Sequence, residues 1–98
     1  MALFSTFADK LRELYIRASN PYGKNFVVKY KDEQIHISSG KVSKDFMEDC
    51  RKLCIELELD KASIMGYFDD YMKLHFSHQI KKRDYQKFRN VWQANKDF

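Results

Sequence analysis

Phe26-Val27-Val28-Lys29-Tyr30-Lys31-Asp32-Glu33-Gln34-Ile35-His36-Ile37-Ser38 is the stretch on which the fold turns. Phe26, Val28 and Tyr30 alternate with Val27, Lys29 and Lys31, and beyond the polar Asp32-Glu33 the isoleucines Ile35 and Ile37 alternate with Gln34, His36 and Ser38. Side chains two apart share a face of a strand, so this is an antiparallel hairpin with one buried face. Pairing Tyr30 with Ile35 and Val28 with Ile37 leaves Lys31 to Gln34 as the connection and gathers the five apolar side chains on one side. Lys29, Lys31 and His36 then face outward together. A lone hairpin is marginal in water, so helices are expected to cover its apolar face.

Upstream, Leu3, Phe4, Phe7, Leu11, Leu14, Tyr15 and Ala18 recur at three- and four-residue steps, with Asp9, Lys10, Arg12, Glu13 and Arg17 on the other side. This spacing predicts an amphipathic helix over 3–18. Ser19-Asn20-Pro21-Tyr22-Gly23 ends it, because proline and glycine both break helical geometry. The hairpin is placed at 25–38. After Ser38-Ser39-Gly40-Lys41, the sequence predicts a helix over 43–58 capped by Ser43, with Phe46, Met47, Cys50, Leu53, Cys54 and Leu57 inward. Ile64, Met65, Phe68, Tyr71, Met72, His75 and Phe76 suggest a further helix over 61–77, with Gly66 a weak point. Tyr85, Phe88 and Trp92 suggest a last one over 80–94. The expected fold is a single α+β domain over 1–98 in the order helix, β-hairpin, three helices, its two-stranded antiparallel sheet packed on a helical bundle.

A chain of 98 residues with 15% aromatic residues but few Gly and Pro can build one core and has no room for two domains. No apolar run approaches the roughly 20 residues that span a bilayer, so no membrane partner is expected and the cytoplasm is the expected compartment. Charge is unevenly distributed. Residues 1–44 carry eight Lys/Arg against four Asp/Glu, residues 45–70 three against eight, and residues 71–98 seven against two. An acidic middle therefore lies between basic ends.

The sequence contains little that resembles catalytic machinery. Cys50 and Cys54 with His75 and His78 form the one grouping with metal-ligand chemistry, but both thiols fall on a stripe that packing already explains. No metal and no cofactor are expected. Ser39-Gly40-Lys41 shares its last residues with a phosphate-binding loop but lacks the glycine-rich turn before it. The neighbours Glu48-Asp49 and Asp69-Asp70 would diverge on a helix, so neither pair can share a proton. With no visible set of nucleophile, acid and base, no enzyme is expected.

What remains is binding. Lys81, Lys82, Arg83, Lys87 and Arg89 can neutralise successive phosphates, Gln86, Asn90 and Gln93 can reach base edges, and Lys29 and Lys31 add a second basic face. The expectation is a small non-enzymatic nucleic-acid-binding protein, a regulator or accessory factor, contacting DNA or RNA. The alternative is a protein-interaction module, an inhibitor, adaptor or self-associating subunit, using the acidic segment 45–70 and anchors such as Tyr22, Tyr67 and Trp92. Reading the second and third helices as a helix-turn-helix has charge against it, since Asp69 and Asp70 would repel the phosphate backbone, and it stands only as a minor form of the nucleic-acid reading.

Overall fold

The computed structural model describes residues 2–96 and, in the first helix, side-chain surroundings from Thr6 onward. Leu3 and Phe4, assigned above to the apolar side of that helix, have side chains outside the described residues. The chain forms α1 (Ala2–Ala18), β1 (Phe26–Lys31), β2 (Gln34–Ser39), α2 (Lys44–Glu56), β3 (Lys61–Phe68), β4 (Met72–Phe76), a 3₁₀ turn (Lys82–Asp84) and α3 (Tyr85–Asn95). Among the described residues it is a small α+β domain, with one antiparallel sheet of order β2-β1-β3-β4 and three α-helices.

The hairpin register is the expected one, Tyr30 opposite Ile35 and Val28 opposite Ile37. Pairing continues one step further to Lys31 and Gln34, so the turn has two residues and not four. Asp32 and Glu33 both take positive φ, 49° and 66°, the geometry whose twist matches a two-residue hairpin. Phe26, Val28 and Tyr30 enter the main core and Ile35 packs against it, whereas Ile37 on the edge strand stays 37% exposed.

The largest correction concerns 61–77, where the structure has two strands and no helix. β3 lies between β1 and β4 and is buried on both faces, so the apolar and polar positions that mark a one-sided strand do not alternate. A two-faced apolar run mimics the three-and-four spacing of a helix. Gly66 is a fitted position in this arrangement. It sits opposite Phe26, and a Cβ there would fall inside the Phe26 ring. The two-stranded sheet expected above is therefore four-stranded, with β3 pairing along β1 in place of helices alone.

The other helix bounds move for local reasons. Ser43 caps α2, its Oγ accepting from the Phe46 N–H at 3.0 Å. At the other end the Leu59 N–H reaches the Cys54 carbonyl and the Glu58 N–H the Ile55 carbonyl, both at 3.0 Å, with Glu58 at φ 57°. This closing motif ends the helix at Glu56, two residues before the expected bound. The last helix begins at Tyr85, because Ile80 is used as a core residue in the loop before it.

α2 and α3 cover one face of the sheet, packing Phe46, Cys50, Cys54 and Phe88 on Phe26, Val28, Ile64 and Phe76. Burial holds both thiols neutral, with Cys54 pushed up to about 12 and Cys50, which also faces Cys54 and Asp49, pushed up further. A thiol reagent at neutral pH is expected to leave both cysteines unlabelled until denaturant is added; rapid labelling of the native protein would contradict this packing.

α1 lies on the other face, where Ile16, Val27 and Met65 form a small second cluster. His75, half-buried on this side, is held below its ordinary 6.5 by burial and by the nearby charges of Arg12 and Lys73. The folded state thus favours neutral His75, and its contribution is complete above about pH 6.5 and shrinks as acid protonates the unfolded chain first. Melting temperature is expected to fall between pH 7.5 and 5.5, and to fall less in His75→Gln; equal falls would refute the assignment.

Candidate functional site

α3 runs along β4 in the opposite direction, positioned by aromatic packing. At its start Tyr85 stacks on Phe76, the last residue of β4, at 4.4 Å between ring centroids. Near its end Trp92 stacks on Phe26 at 5.6 Å and meets Phe46 edge-on at 5.4 Å. The exposed rim of Trp92 closes a cleft with Tyr71 and Met72, where β4 begins. β4 is an edge strand, and the line between it and α3 is open from Tyr71 and Trp92 as far as Leu74 and Gln86, beyond which the Phe76–Tyr85 stack closes it.

Two adjoining clefts form this groove. The first is lined by Tyr71, Lys73, Gln86, Arg89, Trp92 and Gln93. The second continues past Tyr71 and Trp92 to Phe68, Lys24, Lys41 and Lys96, and Asp70 is the one carboxylate among its described lining residues. Tyr71 is 63% exposed, with the Lys73 ammonium 5.2 Å from its ring centroid. Arg89 lies 5.8 Å from the Tyr85 ring and Lys24 lies 4.5 Å from that of Phe68, so cations and aromatic faces are interleaved. Lys73 is tied to Asp69 at 2.9 Å, a hydrogen bond that raises the lysine's pKa and lowers that of the carboxyl.

Of the expected site residues, Arg89 lies in the groove, and Lys81, Lys82 and Arg83 are exposed at the start of α3. Lys87 points to the far flank of the helix, about 200° round from Arg89, where it pairs with the buried Asp84 at 3.4 Å. Arg83 sits 3.8 Å from the same carboxylate. Lys29 and Lys31 lie on the opposite face of the sheet from α3. Lys29 is held by Glu13 of α1 at 3.0 Å, and Lys31 stands directly across from Lys61. The hairpin and C-terminal cations therefore lie on opposite faces of the sheet and form no continuous basic surface, because alternation along β1 turns Lys29 and Lys31 away from the core that α3 covers.

Sequence reasoning missed Lys24, Lys41, Lys73, Lys96, Phe68 and Tyr71. They come from different parts of the chain and meet only once β3 and β4 pair; the clustered aromatics were visible, but they had been assigned to a helix. The acids of 45–70 are also dispersed. Asp45, Glu48, Asp49 and Glu56 lie on α2, Glu58 and Asp60 between α2 and β3, and Asp69 and Asp70 between β3 and β4. The candidate metal ligands separate as well, with Cys50 and Cys54 in the main core, His75 on the α1 side and His78 bonded to Asp9 at 2.7 Å. Among the described residues no group of three or more His, Cys, Asp or Glu is placed to hold a metal.

The fold and this groove define a small α+β domain with an open, cation-rich and aromatic channel beside an edge strand. The chain belongs to the family described as "Protein of unknown function (DUF3634)", whose model matches residues 14–97. No curated protein and no solved structure matches it.

Proposed function

We propose that this is a small non-enzymatic nucleic-acid-binding protein, a regulator or accessory factor of the cytoplasm, that holds a single strand of DNA or RNA in the groove between α3 and β4. The observation that carries this reading is the alignment of Tyr71, Trp92 and Phe68 with Arg89, Lys24, Lys41 and Lys96 along one open channel. Stacking faces and backbone-tracking cations are what single-strand binding needs, and both are indifferent to base sequence. Gln86 and Gln93 supply amides along the same wall. α3 has 11 residues, about 16 Å of rise, which matches a stretch of a few nucleotides. Lys81, Lys82 and Arg83 extend the track at one end.

The test is fluorescence anisotropy of labelled single-stranded DNA, single-stranded RNA and duplex DNA at low and physiological salt. Binding of the single strands at about micromolar affinity, weakening steeply with salt, is the expected result. Flat traces with all three at low salt would overturn it. The interaction-module reading requires an exposed apolar or aromatic patch beside the acids of 45–70; Ile55 and Tyr71 are exposed there, whereas the longer row of large exposed apolar side chains lies on α1.

A further inference from the structure

α1 is packed in reverse. An amphipathic helix on a sheet ordinarily turns its apolar stripe inward. Here Asp9, Glu13 and Ile16 make the inward row, and Asp9 and Glu13 are spent on His78 and Lys29. Phe7, Leu11 and Leu14, at four- and three-residue steps, face away from the sheet, whereas Tyr15 beside them, though exposed, reaches back to Tyr67 of β3 at 5.5 Å between ring centroids. Their exposures are 59%, 51%, 61% and 57%. A contiguous apolar row of this kind marks a surface that something covers.

Charge identifies what covers it. Lys10 and Arg12 flank Leu11 at about 100° on either side, and both are exposed. Both acidic residues of α1 beyond Thr6 are turned inward, so the rim of the apolar row is cationic. A second copy of the chain is a poor fit. Whether two such helices pair parallel or antiparallel, the flanking positions set cation against cation. An anionic bilayer surface satisfies both features, taking the apolar row among its acyl chains while Lys10 and Arg12 reach the headgroup phosphates. The geometry points to α1 as a helix that lies on an anionic phospholipid surface, with the sheet and the α3 groove held outward. No described helix is long and apolar enough to cross a membrane. The expectation of no membrane partner rested on crossing, and lying on a surface makes a different demand. This inference does not depend on the groove's ligand.

The experiment is co-sedimentation of the full chain with vesicles of phosphatidylcholine alone and of phosphatidylcholine with phosphatidylglycerol at roughly 2:1. The protein is expected to sediment with the anionic vesicles and much less with the uncharged ones. A Phe7→Ser/Leu11→Ser variant should lose about tenfold or more of that partition at unchanged melting temperature, since neither side chain is in the core. Lys10→Glu/Arg12→Glu should lose the preference for the anionic vesicle. Failure to sediment with either vesicle, equal partition onto both, or equal binding by Phe7→Ser/Leu11→Ser would each overturn the proposal. So would a dimer that this variant dissociates in a protein that ignores vesicles.

Discussion

Replacing Asn25 with Ala is expected to lower stability by about 2–4 kcal/mol, with a fall in melting temperature of roughly 10–20 °C. Asn25 is 3% exposed and its amide joins three segments. Nδ2 donates to the Ile16 carbonyl at 2.9 Å and to the Ser19 carbonyl at 2.7 Å, while Oδ1 accepts from the Phe68 N–H at 2.8 Å. Alanine leaves those backbone groups without a partner where little water reaches them, and an unpaired buried polar group costs more than a made hydrogen bond gains. Asp in place of Asn separates the components. Its carboxylate can still accept from Phe68, but it faces the carbonyls of Ile16 and Ser19 with no proton to donate, so Asn25→Asp is expected to be at least as damaging. Since two of the three bonds hold the end of α1 and the loop after it, amide exchange in α1 should accelerate more than in α2. Urea and thermal melts of the variants check the magnitude. A melting temperature within about 2 °C of the parent would show that the amide is not the clamp the geometry describes.

Asn25 also shows where the sequence stopped being readable. The turn at Ser19 to Gly23 was legible from proline and glycine, and the hairpin from its alternation, because both signals are local. What Asn25 does depends on Phe68, 43 residues away. The same limit explains β3. A strand covered on both faces loses its period-two pattern, and Ile64, Met65 and Phe68 then fit a helix as well as a strand. Gly66 carried a hint that this segment was not helical, although its meaning, a seat for the Phe26 ring, appears only when the two strands pair. α1 was legible as a helix, yet nothing in its own residues shows that Lys29 and His78 draw its polar side inward. Arg89 and the amides of α3 were readable as a basic helical run. Lys24, Lys41 and Lys96, which complete the groove, were single lysines in unrelated segments until the fold brought them together.

The groove makes the second large prediction, a loss of single-strand binding in Tyr71→Ala and Arg89→Glu with stability left nearly intact. The choice of residues follows from burial. Trp92 is the larger stacking surface but is packed on Phe26 and Phe46, so removing it would open the core and confuse the readout. Tyr71 is mostly exposed, its ring touched by Lys73 at 5.2 Å, and its loss removes a base platform alone. One stacked base contributes about 1–3 kcal/mol, so Tyr71→Ala is expected to weaken binding by about fivefold to a hundredfold, at any salt. Arg89→Glu acts differently. It deletes a phosphate contact and adds a repelling charge, so it should weaken binding about tenfold at low salt and flatten the dependence of log affinity on log salt by about 0.7 per lost contact. The two signatures separate stacking from charge. Lys87→Glu, on the far flank of α3 and engaged with Asp84, is the internal control and should change affinity much less. If Lys87→Glu and Arg89→Glu weakened binding equally while Tyr71→Ala did nothing, the ligand would be following the helix's general charge, and the channel beside β4 would not be its site.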